Sequence, residues 1–542
     1  MTPEAKAVLE YHRETKHHPD RYARSPGYMD WQNQPEPFRF FEGCETIDLP
    51  FLERDADLDH DGLYQGADEP QPLTLETVGA FLELSLALSA WKAAGPNRWS
   101  LRINPSSGNL HPTEGYVVLP EIPGLGAGVY HYAPLLHALE RRAALPETVS
   151  ASLVQALGSG GFLAGLTSIF WRESWKYGER AFRYCNHDVG HALAALSFSA
   201  GLQGWRLKAL GALGDEDVSA VLGLDRTHWH PDEAEHPDLL CAVTPKTEDA
   251  PATLPDSLLA AFAELRFRGT PRPLSARRVP WKRIDQVAVA ARKPRTEPRE
   301  VSFPSRPFRE GPAQRLSAGQ IIRRRRSAAA FSGKGRLDRE TFFALLDRTL
   351  PRPDRAPFDL DLQPTTVDLL IFVHDVQCLN QGLYLFARTG GGPEPLLAAT
   401  RGDLCWSMVE TGLPLFRLED GNFRRRAISA SCHQEIAGDS VFSLGMIARF
   451  RENVAPRPWS YRHLFWETGM IGQALYLEAE ARGLRGTGIG CYFDDEVHQL
   501  LGLRDDAFQS LYHFTVGEPV EDPRLAALPP YHHLNRSRVR TT

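Results

Sequence analysis

Tyr184-Cys-Asn-His-Asp-Val-Gly-His-Ala-Leu193, running on to Gly201-Leu202, has a diverged second copy in Trp466-Glu-Thr-Gly-Met-Ile-Gly-Gln-Ala-Leu475, running on to Gly483-Leu484. Gly190, Ala192, Leu193, Gly201 and Leu202 recur 282 residues later. Farther along, Asp215-Glu-Asp-Val-Ser-Ala-Val-Leu-Gly-Leu224 is answered by Asp494-Asp-Glu-Val-His-Gln-Leu-Leu-Gly-Leu503, and upstream Gly128-Val-Tyr-His-Tyr132 by Gly382-Leu-Tyr-Leu-Phe386. Such self-similarity at a long, fixed separation marks a duplicated unit. Each copy reads as a strand, a long apolar-striped helix, a second strand and a short helix with an acidic start. Near 186–200 the apolar residues fall at helical spacing, and Gly201 suits the residue just past the helix end. Alternating strands and helices predict an α+β chain of two α/β layered domains.

The chain of 542 residues exceeds one ordinary core and suits two domains. The boundaries read as a lead-in over 1–50, a first domain over 51–245, a Pro/Arg-rich linker over 246–315 and a second domain over 316–542. Pro271-Arg-Pro, Arg292-Lys-Pro-Arg and Phe303-Pro-Ser-Arg-Pro make the linker look like a segment that wraps rather than packs. A hydrophobic share of 42% with 24% charged residues is that of a globular chain, and a net charge of −7 gives no general attraction to nucleic acid or anionic membrane. The 7 cysteines include no CxxC, which argues against a disulfide framework or zinc ribbon. No apolar run approaches a membrane span and the N-terminus has no signal-peptide pattern, so a cytoplasmic protein is expected. His111, His131, His137, His187 and His191 show no paired ligand spacing, so no metal is expected. Cys432-His433 with Glu435 is too compact for a nucleophile, base and orienting group.

Ser100-Leu-Arg-Ile-Asn-Pro-Ser-Ser-Gly-Asn-Leu-His-Pro-Thr-Glu114 packs a turn, hydroxyls, an amide and a carboxylate between two hydrophobic segments. Pro105 and Gly108 punctuate the backbone, and Ser106, Ser107 and Asn109 can donate and accept with little bulk. The stretch reads either as an ordinary polar turn before a strand or as a ligand-facing loop. It closely resembles the PSSGN-type loop of the FMN-dependent nitroreductase superfamily. Its extension His111-Pro-Thr-Glu114 resembles the SagB-type branch, the thiazole/oxazole dehydrogenases, as do Tyr11-His-Arg-Glu-Thr-Lys16 and Trp175-Lys-Tyr-Gly178 with Tyr184 and Gly190-His191. The resemblance covers roughly 8–245 and 316–530. Members are usually homodimers with FMN in the groove between subunits, so a tandem repeat implies two nitroreductase-like domains forming an internal pseudo-dimer.

The resemblance also implies how the flavin elements are shared. Arg325 and Ser327 of Ile321-Ile-Arg-Arg-Arg-Arg-Ser-Ala-Ala-Ala-Phe331 match the family's phosphate-binding opening, and Gly486, Thr487, Gly488 and Arg524 match its late glycine-rich segment and phosphate arginine. The first repeat carries Leu75-Glu-Thr-Val-Gly79 at the corresponding opening. It alone has the loop, from which Arg102, Pro105, Ser106, Ser107 and Asn109 would reach the flavin. One complete site can be assembled and its mirror image cannot, so one FMN per chain is expected, with Arg325 and Arg524 on the phosphate. The Gly472 amide would approach N5. Lys176 and Tyr177 are the candidate catalytic pair for the proton that azoline oxidation releases, Lys176 lowering the tyrosine's pKa or acting itself. The expected activity is azoline oxidation in a small-molecule or peptide substrate, with a cyclodehydratase as partner. An NAD(P)H-dependent nitro- or quinone-reductase and a non-catalytic flavin-binding scaffold are the competing readings.

Overall fold

The computed structural model describes residues 1–534 apart from 300, 310, 312–314, 363 and 391. Two antiparallel seven-stranded sheets dominate it, and six strands of each follow one order, the outer edge strands Glu45–Asp48 and Ser407–Glu410 entering from different points of the chain. The first runs Glu45–Asp48, Ala138–Ala144, Gly128–Ala133, Thr113–Leu119, Phe162–Ser168, His236–Pro245, Trp205–Ala209. The second runs Ser407–Glu410, Leu413–Asp420, Gly382–Phe386, Val367–Val373, Phe442–Arg449, Phe508–Gly517, Arg485–Ile489. Central strands such as Val367–Val373 are buried along their whole length. Helices pack on both faces of each sheet, which is why these strands read as apolar runs rather than alternating patterns.

The two long helices, Ala181–Leu202 and Ser460–Ala481, each have 22 residues and are buried at every position. The expected polar face does not exist, because each helix is enclosed by its own sheet and by its twin. Their register differs from the sequence alignment. Helix starts, the positive-φ glycines that follow (Gly204 and Gly483) and the short helices Asp215–Leu222 and Asp494–Leu501 all correspond at an offset of 279. The Gly190/Gly472 match therefore slips by three residues, close to one helical turn, which leaves the buried face unchanged and hides the slip from pattern reading. Gly201 is consequently inside the helix, and Gly204, at φ 69°, follows the end.

The helices cross where Gly190 meets Gly469. A Cβ on Gly190 would strike the Trp466 carbonyl, and one on Gly469 the His187 carbonyl, so the two backbones touch. The crossing is flanked by a reciprocal pair of buried ion pairs. Arg183 of the first helix reaches Asp494 of the second half at 2.6 Å, and its counterpart Arg462 reaches Asp215 of the first half at 2.7 Å. Residue i meeting j while j′ meets i′ is the signature of a two-fold interface. Here it lies within one chain.

Three segments cross between the halves or pack where wrapping was expected. The lead-in helix Pro3–Glu14 sits on the second half, with His12 bonding Tyr461 and Gln509. The strand Ala526–Leu528 pairs with Leu88–Ala94 of the first half. The 246–315 segment does not merely wrap: Asp256–Ala263 and Lys282–Ala290 are helices, and Leu254, Leu258 and Phe262 enter the first half's core. Leu258, Leu259 and Phe262 have helical spacing that the surrounding prolines and arginines masked. Among the described residues no helix is long and apolar enough to cross a membrane.

Candidate active site

The loop Ile103–His111 is shaped by its own hydrogen bonds. Gly108, Asn109 and His111 have φ of 59°, 60° and 52°, a left-handed run that glycine and asparagine tolerate best. Ser106 Oγ accepts from the His111 amide at 2.8 Å, and Asn109 donates to the Ser100 carbonyl at 2.9 Å while its Oδ1 meets His111 at 2.9 Å. Ser107 donates through its amide (3.1 Å) and hydroxyl (3.3 Å) to Asp188, from the first long helix. The loop is thereby fixed to the pseudo-dimer interface.

Opposite stands the second half's opening segment. The Ala318–Arg324 helix is capped by Ser317 and ends at Arg325. The chain then runs beside the edge strand, Ser327 bridging to Gly486. Arg102, Asn104, Pro105, Ser106, Asn109 and His111 from one half face Arg325, Arg326, Ser327, Arg485 and 519–522 from the other, around a cavity of about 280 Å³. The structure thus joins the loop and the opening segment, which stand more than 200 residues apart in the chain.

Charge in this cleft is unbalanced. Arg325 is 3% exposed, and it donates only to the carbonyls of Ile103 (3.1 Å) and Arg102 (3.0 Å). Its remaining Nη1 is buried with no partner. Arg326 donates only to carbonyls as well, of Arg323, Arg325 and Ser89. Neither makes an ion pair among the described residues. Burial lowers both guanidinium pKa values, that of Arg326 to about 10. Cations held this way are costly unless an anion joins them, so this wall fits a phosphate. Arg102 differs: it donates to the Pro37 carbonyl and lies over Phe38 at 5.3 Å, with its pKa lowered to about 10 by burial.

Six expected cofactor residues, Ser107, Gly472, Gly486, Thr487, Gly488 and Arg524, lie outside the cleft lining. Arg524 is solvent-exposed and paired with Asp522 at 2.7 Å, outside the cleft lining. Thr487 gives its hydroxyl to Ala328 at 2.7 Å, and the Gly488 amide goes to Tyr476 at 2.9 Å, so both brace the opening segment from behind. Gly486 and Gly488 are small because Phe514 and Tyr512 occupy the Cβ space. Gly472 lies inside the second long helix against His191 and Tyr512. Arg326, Arg485 and Asn104, which the sequence reading passed over, line it instead. For Arg326 the signal lay beside Arg325, in a run of four arginines.

Lys176 and Tyr177 end the helix Phe170–Tyr177 and abut the loop: a Cβ on Gly108 would lie 2.6 Å from Tyr177 Oη and 3.1 Å from Lys176 Nζ. Tyr184 packs on Tyr177 at 4.6 Å. Two carboxyl groups missed by the sequence reading share this pocket. Asp188 is pushed up to about 7 by burial, the Ser106 and Ser107 hydrogen bonds opposing. Both oxygens of Glu173 are buried without a hydrogen bond of ordinary geometry. Burial, then Asp188, pushes it well above the usual carboxylate range, while Lys176 pulls it back. Tyr177 is also pushed well above its ordinary value, by burial first and then Glu173, Tyr184 and Asp188. Burial and these groups oppose the tyrosinate that activation by Lys176 would require. Among the described residues no cluster could hold a metal ion.

Paired α/β layers whose shared cleft carries a loop from one half and cations from the other define a two-fold enzyme scaffold. Residues 441–518 match the nitroreductase family model. A Methanocaldococcus jannaschii protein named as a nitroreductase is 30% identical over 183 residues, 33% of this chain and 83% of that protein. The trifolitoxin-processing protein TfxB of Rhizobium leguminosarum bv. trifolii is 34% identical over 130 residues, 22% of this chain and 35% of its own length. The crystal structure of an Anabaena variabilis protein named as a nitroreductase aligns over 95% of this chain and 99% of its own, with a TM-score of 0.68 at 22% identity. The chain belongs to the nitroreductase family of flavin-dependent oxidoreductases.

Proposed function

We propose that the chain is an FMN-dependent dehydrogenase that oxidises thiazoline or oxazoline rings to azoles, with one FMN per chain in the cleft between the halves. The observation that carries this reading is the cleft itself, where the buried Arg325 and the partly buried Arg326, neither with an acid partner among the described residues, face the Ser106–Asn109 loop, against which Lys176 and Tyr177 pack. Arg325 and Arg326 would hold the phosphate, and Asn104, Ser106 and Asn109 would offer polar contacts to the remainder. When bound, the flavin supplies a two-electron acceptor for the substrate's hydride. Tyr177, kept neutral by burial, orients the substrate through its hydroxyl. Lys176 Nζ takes the Cα proton, and Glu173 and Asp188 beside it keep the resulting ammonium from standing alone. The similarity to a trifolitoxin-processing protein supports a peptide substrate and a synthetase partner such as a cyclodehydratase.

Flavin released from the purified chain should be FMN at one equivalent, and an azoline-containing peptide should bleach it anaerobically. A ratio near two would refute the single site. Bleaching by NAD(P)H with no response to azolines would favour the reductase reading.

A further inference from the structure

Cys432 and Cys491 belong to neither the cleft lining nor the proton-handling group, yet their sulfur atoms lie 2.8 Å apart. No other two sulfurs among the described residues are within hydrogen-bonding distance. Both are partly exposed and reduced, whereas Cys185 and Cys241 are buried. The pair is held by backbone that does not depend on the thiols. Gln434 donates to the carbonyls of Ser431 (2.9 Å) and Cys491 (3.0 Å), and the Phe493 amide donates to Ala430 at 2.9 Å. Cys432 and His433 sit consecutively at φ 53° and 59°, an unusual conformation for such residues, which turns Cys432 toward its partner. From Cys491 the path inward is short: Gly490 accepts a hydrogen bond from Tyr184 Oη at 3.0 Å, and Tyr184 packs on Tyr177.

We propose that Cys432 and Cys491 are a reversible dithiol/disulfide site for peroxides, set beside the candidate active site. Cys491 is the attacking sulfur: the hydrogen bond it shares with Cys432 and the Arg180 guanidinium hold its pKa below the ordinary thiol value, while Cys432, on the other side of that bond, is held above it. Attack of the Cys491 thiolate on a peroxide O–O bond forms the sulfenic acid and expels hydroxide or alkoxide, which takes up the thiol's proton. Cys432 then attacks the sulfenic sulfur, the S–S bond forms and water leaves. The dithiol loses two electrons and the peroxide gains them. This inference does not rest on the azoline reading.

The test treats dilute purified protein with one equivalent of hydrogen peroxide, then denatures, alkylates and maps it by mass spectrometry. The reduced chain should take seven alkyl groups, one per cysteine. After peroxide it should take about two fewer, yield a peptide joining Cys432 to Cys491, and recover with dithiothreitol. Cys432→Ser should instead accumulate Cys491 as a dimedone-reactive sulfenic acid. A full set of alkylatable thiols after treatment overturns the proposal, as does a bridge that joins Cys378 or Cys405, or a Cys432→Ser protein with no label on Cys491.

Discussion

The edge strands Trp205–Ala209 and Arg485–Ile489 occupy the same place in their sheets, yet the cations of the first are paired with acids whereas two arginines beside the second are not. In the first half Trp205 fills the space against Phe81 and Phe162, Arg206 pairs with Asp354, and Lys208 pairs with Asp361 at 2.9 Å. The 354–361 segment lies along that strand, Ala209 donating to Leu360 at 2.9 Å. In the second half Arg485, Gly486 and Gly488 replace the bulk, and Arg325 and Arg326 beside them have no acid partner. The proton-handling pair is one-sided too: at the 279 offset Lys176 and Tyr177 correspond to Ala455 and Pro456. Asp188, whose polar partners among the described residues are serines, corresponds to Glu467, which Arg388 neutralises at 2.9 Å. Duplication kept the scaffold symmetric and let the chemistry collect on one side.

The largest expected effect separates the two pairs at that offset. Lys176→Ala should cut the rate of azoline-driven flavin reduction about 10²–10⁴-fold, the usual worth of a positioned acid–base group, and Tyr177→Phe, which loses an orienting hydroxyl, by less, with flavin content unchanged in both. Pro456→Ala should leave the rate alone. Stopped-flow spectra under anaerobic conditions decide it, and equal effects in both halves would break the asymmetry.

Next come the reciprocal ion pairs. Asp494 carries Arg180 at 2.9 Å and Arg183 at 2.6 Å and is itself fully buried, whereas Asp215 carries Arg462. Asp494→Ala should destabilise by about 3–5 kcal/mol, since a buried charge pair loses one partner, and Asp215→Ala by less. Denaturant titration measures both, and a larger loss at Asp215 would reverse the ranking.

Flavin retention gives a smaller contrast. Arg325→Ala and Arg326→Ala should each weaken it ten- to a hundredfold, as expected of a charge-assisted contact worth about 1.5–3 kcal/mol. Arg206→Ala and Arg524→Ala should not change it. Full retention in both cleft variants after dialysis would move the phosphate elsewhere.

The smallest effect is in pH dependence. Asp188 binds its proton more tightly folded than unfolded, so its contribution to stability declines as pH rises from about 4 to about 7 and is level above that. Asp188→Asn removes the titration while keeping an acceptor for Ser107. The variant should therefore gain on the wild type across this window in thermal melts, and parallel curves would show that Asp188 does not titrate there.

Much of this was legible in the sequence. The repeat and the strand and helix order came from residue patterns, and the complementary placement of the Ser106–Asn109 loop and Arg325 from the family resemblance. The failures have physical causes. A three-residue slip on a fully buried helix leaves the same face inward, so Gly472 was matched to Gly190 when Gly469 is its partner. Thr487 and Gly488 look like phosphate donors until Ala328 and Tyr476 are seen to take their hydrogen bonds. Glu173 and Asp188 carried no spacing signal, because their roles come from burial that only the tertiary fold creates.

The strand Ala526–Leu528 ties the end of the second half to the first, just beyond the 519–522 stretch of the cleft wall. Together with the covalent link, this changes how the scaffold responds to dilution. A cleft shared by two separate chains disassembles as concentration falls, whereas tethered halves meet at an effective concentration in the millimolar range whatever the bulk value. Assembly of the cleft is thus expected to be independent of protein concentration, and each half is free to accumulate substitutions that would weaken an interface formed by free subunits.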